Sequence, residues 1–253
     1  MIKRQRIDLL QVGQGRIGQR LFNCLKQTKQ KLPSIQLARL DHKLGLLNLE
    51  SDKYYQINQL VICIAPPAIL SMAAKSQFWK QIFAGLHKQV QSGQLVIQQL
   101  YFVSSTRVYD GIKCGMVKAS SSTHSDSTMG QALIFAEQML MNLSRQCYLF
   151  RAVGLVGESY PKYQTFLKLQ DNKLRFTIAD WQLVDQMILQ IKLNQDSACG
   201  DQSSQDYHAF LMTDGQGYIN GQVLSLPAWQ QQVEAIKGHQ RWLKASNYHS
   251  NRQ

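Results

Sequence analysis

Ile7-Asp8-Leu9-Leu10-Gln11-Val12-Gly13-Gln14-Gly15-Arg16-Ile17-Gly18 decides how the chain is read. An apolar run that stops at Val12 and passes through glycine into an amphipathic stretch (Ile17, Leu21, Cys24, Leu25) is a strand feeding a helix. Glycine at 13 and 15 lets the backbone turn sharply and lets an anion lie against the amides, while Gly18 allows the helix to approach the sheet. The helix beginning near Arg16 directs its unpaired N–H groups and the positive end of its dipole at the same point. A lone GxGxxG is a weak signal. Here a strand precedes it, a helix follows it, and a second apolar stretch spans Ile35 to Leu40, which is the context a dinucleotide-binding turn requires. Gly13, Gln14, Gly15, Arg16, Ile17 and Gly18 are therefore the candidate pyrophosphate-binding residues.

Beyond this turn, apolar runs alternate with helical patterns. Strands are expected at 7–12, 35–40, 59–64, 95–103 and 147–152, and helices at 16–29, 68–91 and 129–145. Such alternation implies an α/β chain with a Rossmann-like, doubly wound parallel sheet. Leu60-Val61-Ile62-Cys63-Ile64 is a continuous apolar run suited to a central strand buried on both faces, and it ends in Ala65-Pro66-Pro67. Ligands of such sheets bind beyond the carboxyl ends of the strands, so Ala65 and Pro66 are expected beside the cofactor, with Pro67 opening the next helix; a plain strand-to-helix turn is the alternative. After residue 155 the alternation loosens. Gly157 to Asp171 and Ser197 to Gln205 read as loops, Trp181 to Leu193 and Ala228 to Lys237 as helices, and His208 to Thr213 as a strand. The expected organisation is a nucleotide-binding domain over 1–155, a small C-terminal substrate lobe over 156–240 and a frayed tail over 241–253.

The chain has 253 residues, 28 Lys+Arg against 16 Asp+Glu, and a formal net charge of +12. The basic residues are scattered, and no zinc-finger, helix-turn-helix or RNA-binding signature accompanies them, so nucleic acid is not the expected partner. A dispersed positive field favours anionic small molecules, nucleotides included. The five cysteines, Cys24, Cys63, Cys114, Cys147 and Cys199, contain no CxxC pair and suggest neither a disulfide framework nor a metal site. No run approaches the length of a membrane span and the basic start lacks a secretory apolar core, so a cytoplasmic protein with reduced thiols is expected.

Tyr101-Phe102-Val103-Ser104-Ser105-Thr106-Arg107-Val108-Tyr109 resembles the strand-end signature of extended and atypical short-chain dehydrogenases/reductases, the NAD-dependent epimerase/dehydratase group. There a strand ends in Ser-Ser followed by Val-Tyr-Gly; this chain has Asp110-Gly111 after the tyrosine. Leu149-Phe150-Arg151-Ala152-Val153-Gly154-Leu155-Val156-Gly157 is similar to the group's Leu-Arg-x-x-x-x-Tyr-Gly-Pro segment, with Val156 for the tyrosine and no proline. Ile178-Ala179-Asp180 resembles its Ile-His-Val-x-Asp turn. The resemblance implies bound NAD or NADP and a sugar-nucleotide or similar hydroxyl/carbonyl substrate. It also implies that Ser104 borders the cofactor, that Ser105 matches the catalytic serine or threonine, with a strand-end serine bonded to backbone as the alternative, and that Tyr109 is a packing residue that could alternatively offer a phenol.

The same resemblance exposes a departure. In the group, a helix carries Tyr-Gly-x-Ser-Lys-x-x-x-Glu, whose lysine lowers the tyrosine pKa and holds the ribose while the tyrosine exchanges a proton with substrate. Here the helix reads Met129-Gly130-Gln131-Ala132-Leu133-Ile134-Phe135-Ala136-Glu137, with Met129 and Leu133 at the tyrosine and lysine positions. Neither a thioether nor an alkyl chain carries a proton. His124, in a serine-rich loop, is a candidate substitute, although a lone loop histidine is ordinarily solvated. Cofactor choice depends on the end of the second strand, where arginine pairs with the extra phosphate of NADP and an acid binds the ribose of NAD. Arg39, followed by Lys43, favours NADP; Asp41 is the competing acid. Two functions remain open: an oxidoreductase or isomerase with an unusual proton donor, and a catalytically inactive NADP(H)-binding sensor or regulator. Relatives pair through helices, and Gln138-Met139-Leu140-Met141 would suit a homodimer face as well as a core.

Overall fold

The computed structural model describes residues 4–27, 35–38, 47–50, 52–66, 70–112, 115–157, 175–195, 206–213, 217–219, 222–224 and 241–243. Arg39, Asp41, Lys43, Pro67, the two expected loops beyond Gly157 and from Ser197, and the expected helix from Ala228 lie outside the described residues.

Strands β1 (Arg4–Val12), β2 (Ile35–Ala38), β3 (Tyr54–Ile62), β4 (Leu95–Ser105), β6 (Ser144–Ala152) and β9 (Asp206–Met212) form one sheet in the order β2-β1-β3-β4-β6-β9. Every pairing in it is parallel. The chain leaves β1 for β2 on one side and then crosses to β3 on the other. The strand order thus reverses at β1, and a crevice opens beyond the carboxyl ends of β1 and β3. Helix α1 (Arg16–Gln27) packs against α4 (Asp180–Leu193), and α2 (Met72–Gln91) against α3 (Thr128–Met141), so helices cover both faces. This is the doubly wound α/β architecture expected from the alternation.

The observed boundaries follow local chemistry. The first half of β3 alternates, Tyr55 and Ile57 inward with Tyr54 exposed and Gln56 and Asn58 half-buried, before Leu60, Val61 and Ile62 become wholly enclosed. Only that enclosed second half resembles a buried strand in the sequence, so the expected start at 59 misses the first residues. Helix α2 starts later than expected, where the Ser71 hydroxyl accepts from the Ala74 amide at 3.2 Å and caps the first turn. Helix α3 begins where Ser127 accepts from Gly130 at 3.1 Å. It stops at Asn142, and Ser144, expected in the helix, opens β6.

Two of three glutamines in a row across the sheet tie α4 to it. Gln59, Gln99 and Gln146 are register neighbours on β3, β4 and β6, each amide donating to the next at 3.0 and 3.1 Å. Gln59 also donates to the Ile191 carbonyl and Gln99 to that of Asn194, both at 2.9 Å, which satisfies carbonyls that the end of α4 leaves unpaired. On the opposite face Trp79 stacks on Phe83 at 5.4 Å, and both meet Phe102 edge-on, fastening α2 to β4.

Beyond residue 153 the described strands fall into more than one sheet. Strands β7 (Gly154–Val156), β8 (Arg175–Ala179), β10 (Gly217–Ile219) and β11 (Gln222–Leu224) form a separate small sheet, while α4 and β9 return to the main layer. Residues 241–243, expected to fray, form β12 (Arg241–Leu243), paired in parallel with β5 (Gly115–Val117). No helix among the described residues is long and apolar enough to cross a membrane, and no cluster among them of three or more His, Cys, Asp or Glu side chains suits a metal ion.

Candidate functional site

The crevice is a cleft of about 880 Å³ lined by Val12 to Ile17, Ala38, Cys63 to Pro66, Met72, Lys75, Trp79, Val103 to Ser105, Arg107, Met129, Leu133 and Leu155. Its floor is the carboxyl end of the sheet, and its walls are the first turns of three helices.

The glycine turn is built by close approach. Gly13 has φ +97°, and a Cβ there would stand 2.3 Å from the Cys63 carbonyl oxygen. The same stretch of backbone is pinned by the Cys63 amide, which donates to Val12 O at 2.8 Å. Beneath the turn lies Gln11, wholly buried, whose amide donates to Gly18 O at 2.8 Å and Gly13 O at 3.2 Å. Gly15 differs: a Cβ there meets nothing within 4 Å, because this residue faces the open cleft. The first and third glycines are required by packing, the middle one by what the cleft admits.

Beyond β4, Ser104 and Ser105 both line the cleft. The Ser104 hydroxyl donates to Glu137 Oε1 at 2.6 Å, so its proton is already engaged. Ser105 is half-buried, and its oxygen accepts only weakly, at 3.4 Å, from the Arg107 amide at the start of the short turn Thr106–Tyr109. Met129 and Leu133, four residues apart on α3, point their shared face at the same cleft.

Tyr109 is elsewhere. Its ring is fully buried and is not part of the cleft lining. Its hydroxyl donates to Ala119 O at 3.2 Å and accepts from Arg151 Nη1. Burial raises the phenol's pKa, against the lowering influence of the Arg151 guanidinium. Tyr109 therefore serves as packing, and the suggestion that it supplies a proton has no geometric support. His124 likewise stays outside the cleft, pairing with Asp126 at 3.3 Å near the surface.

Leu155 reaches the cleft from the segment after β6, and two sequence motifs meet behind it. Gly157, at φ +138°, abuts Asp180, where a Cβ would lie 2.9 Å from the carboxylate, and Asp180 pairs with Arg20 of α1 at 3.4 Å. Cys63 is buried in the cleft wall, and desolvation pushes its thiol up to about 12, leaving it protonated and inert.

Met72, Lys75, Trp79, Cys63 and Arg107 were not singled out from the sequence. For the first three the signal was present: they recur at three- and four-residue intervals on the helix following Ala-Pro-Pro, one face turned to the ligand end of the sheet.

No family model matches the sequence, and no curated protein matches it either. Solved structures do. A protein of Methylobacillus flagellatus described as an NAD-dependent epimerase/dehydratase superposes with a TM-score of 0.59 at 16% identity, over 94% of this chain and 89% of that one. MoeE5, in complex with UDP-glucose and NAD, gives 0.57 at 15% identity over 95% and 86%. RMD of Pseudomonas aeruginosa, complexed with NADPH, gives 0.55 at 10% identity over 94% and 87%. The chain shares the Rossmann-like fold of these proteins. Within that fold the cleft described above lies at the sheet's switch point, and the apolar pair Met129 and Leu133 forms part of its wall.

Proposed function

We propose that this chain binds NADP or NAD in the cleft and is an epimerase/dehydratase-like oxidoreductase or isomerase acting on a hydroxyl or carbonyl compound. One observation carries the reading: Gly13 packs too closely on the Cys63 carbonyl for any side chain, and the turn it begins lines the cleft with Gly15, where a Cβ meets nothing within 4 Å. Among the described residues no carboxylate lines that cleft, while Arg16, Lys75 and Arg107 do, so its field suits phosphates. The amides after Gly13 and the N-terminus of α1 would hold the pyrophosphate, with the nicotinamide toward Ser104, Ser105 and Leu133. Bound dinucleotide supplies hydride chemistry; the chain supplies position and, at Ser105, a hydroxyl able to bind a reacting oxygen. Arg39 and Lys43 in the sequence favour NADP over NAD. By analogy with neighbours bound to UDP-glucose, a sugar nucleotide is the first substrate class to try.

A second reading is favoured by Met129 and Leu133. With these on the wall and the Tyr109 hydroxyl committed to Arg151, no tyrosine–lysine pair lines the cleft among the described residues, which supports a sensor that binds NADP(H) without turnover. Calorimetric titration with each of the four nicotinamide dinucleotides tests binding, and a screen of carbonyl compounds and nucleotide sugars by nicotinamide absorbance tests turnover. Binding with turnover supports the enzyme, binding without it the sensor, and no binding removes both.

A further inference from the structure

Two cations in the cleft are given no task by a dinucleotide lying across the glycine turn. Lys75 shares a face of α2 with Met72 and Trp79, and the Trp79 ring meets Phe102 of β4 edge-on at 5.7 Å, which sets this face over β4. Arg107 lies in the turn directly beyond β4 and lines the same cleft. Neither side chain has an ion-pair partner among the described residues. The wall they share is formed by Val103, Met129, Leu133 and Leu155, with Ser104 and Ser105 at the end of β4.

Cations beside an apolar wall select a particular chemistry. A polyhydroxylated ring laid on Met129 and Leu133 would lose water from that face without gaining hydrogen bonds from either side chain. An apolar body loses nothing there, and an anionic head gains charge-assisted hydrogen bonds from Lys75 and Arg107. We propose that the β4 side of the cleft receives a small amphiphilic anion, a carboxylate or phosphate monoester on an apolar body. Its charge is held by Lys75 and Arg107, and its body rests on Met129, Leu133 and Leu155. This rests on the reading that the dinucleotide runs from the glycine turn to its nicotinamide near Ser104 and Ser105, with the anion lying beside that ring. It replaces the nucleotide sugar of the structural neighbours with a smaller and less polar ligand.

The test is calorimetry on the full chain with 3-phenylpropanoate, phenethyl phosphate, the neutral 3-phenylpropanamide and UDP-glucose, each with and without NADP. The expected result is that at least one anion binds about tenfold or more tighter than the amide, which is the discrimination a single charge-assisted contact provides. Which of the two binds tighter identifies the head group. Lys75→Met combined with Arg107→Met should bring the anion-to-amide ratio close to one, and each single substitution should lower it. Equal binding of anion and amide, UDP-glucose binding tighter than both anions, or a preference that survives the double substitution would overturn the proposal. NADP titrated alone reports separately: absence of its binding rejects the dinucleotide reading, while the anion-to-amide ratio still decides this one.

Discussion

Gly18 and Gly13 are locked together across the turn: a Cβ on Gly18 would lie 2.1 Å from the Gly13 carbonyl oxygen, inside any tolerable contact. Gly13 is in turn confined by Cys63 and by its positive φ. Gly18→Ala and Gly13→Ala should therefore each destabilise the fold, the latter by more than about 1 kcal/mol because alanine resists that backbone conformation. Gly15→Ala should leave stability within about 0.5 kcal/mol, since its Cβ meets nothing. Yet the added methyl occupies the space assigned to pyrophosphate, so dinucleotide affinity should fall about tenfold or more. Denaturant unfolding and calorimetry on the three variants separate the two effects; unchanged affinity in Gly15→Ala would displace the phosphates from this turn.

The same region contains a buried ion pair that holds the serine strand against α3. Arg151 donates to both oxygens of Glu137, from Nε at 3.1 and 3.2 Å and from Nη2 at 2.8 Å, with the two side chains 5% and 2% exposed. Nη1 reaches Ala119 O at 3.0 Å, and Ser104 donates to Glu137. Arg151→Met leaves a buried carboxylate unpaired and should cost about 3–5 kcal/mol. Adding Glu137→Leu removes that stranded charge, so the double variant should be clearly more stable than the sum of the single losses implies. Urea midpoints for the four proteins measure the coupling, and simple additivity would show that the pair does not act as a unit.

Cys63 sets a pH limit. Burial raises its thiol from an ordinary 9.0 to about 12, so the folded state keeps a proton that the unfolded chain gives up. Its contribution to stability is intact below 9 and is lost as pH rises through 12. Alkylation at pH 8 should modify Cys63 about tenfold or more slowly in native protein than in unfolded protein, as read by peptide mass mapping. Comparable rates would mean that the cleft wall opens readily in solution.

What the sequence disclosed was local in origin. The glycine turn is readable because its constraint lies within a few residues, and Met129 with Leu133 because a four-residue spacing fixes one helix face whatever surrounds it. Strand boundaries were less legible where burial changes along a single strand: in β3 the polar positions Gln56 and Asn58 break the apolar run although both sit in the ladder. The place of Tyr109 could not be inferred from its neighbours. Only the meeting of β6, α3 and the loop at Ala119 brings Arg151 to its hydroxyl, a contact between residues far apart in sequence. Gln59 and Gln99 look like surface residues by composition, and their burial is matched by the α4 carbonyls they satisfy. The pairing of β9 was not legible for the same kind of reason, because nothing within residues 206–212 announces that they pair with β6.

Met129 and Leu133 allow a test of the missing relay that needs no substrate. A phenol introduced by Met129→Tyr enters a position 8% exposed, where desolvation should move its titration above the ordinary value of about 10. Adding Leu133→Lys places an ammonium one helical turn away, which stabilises the phenolate and should move the titration back down. Ultraviolet absorbance of the introduced phenol against pH, taken as a difference from the parent protein, should therefore show the double variant titrating at least about one unit below the single one. That order would place both side chains on a common face within electrostatic reach, the geometry required of a tyrosine–lysine pair. A screen for hydride transfer with the double variant then separates the two functional readings: turnover appearing only there identifies the natural chain as a binder that lacks its relay. If the two variants titrate together, these positions are not partners, and the assignment of Met129 and Leu133 to the relay fails.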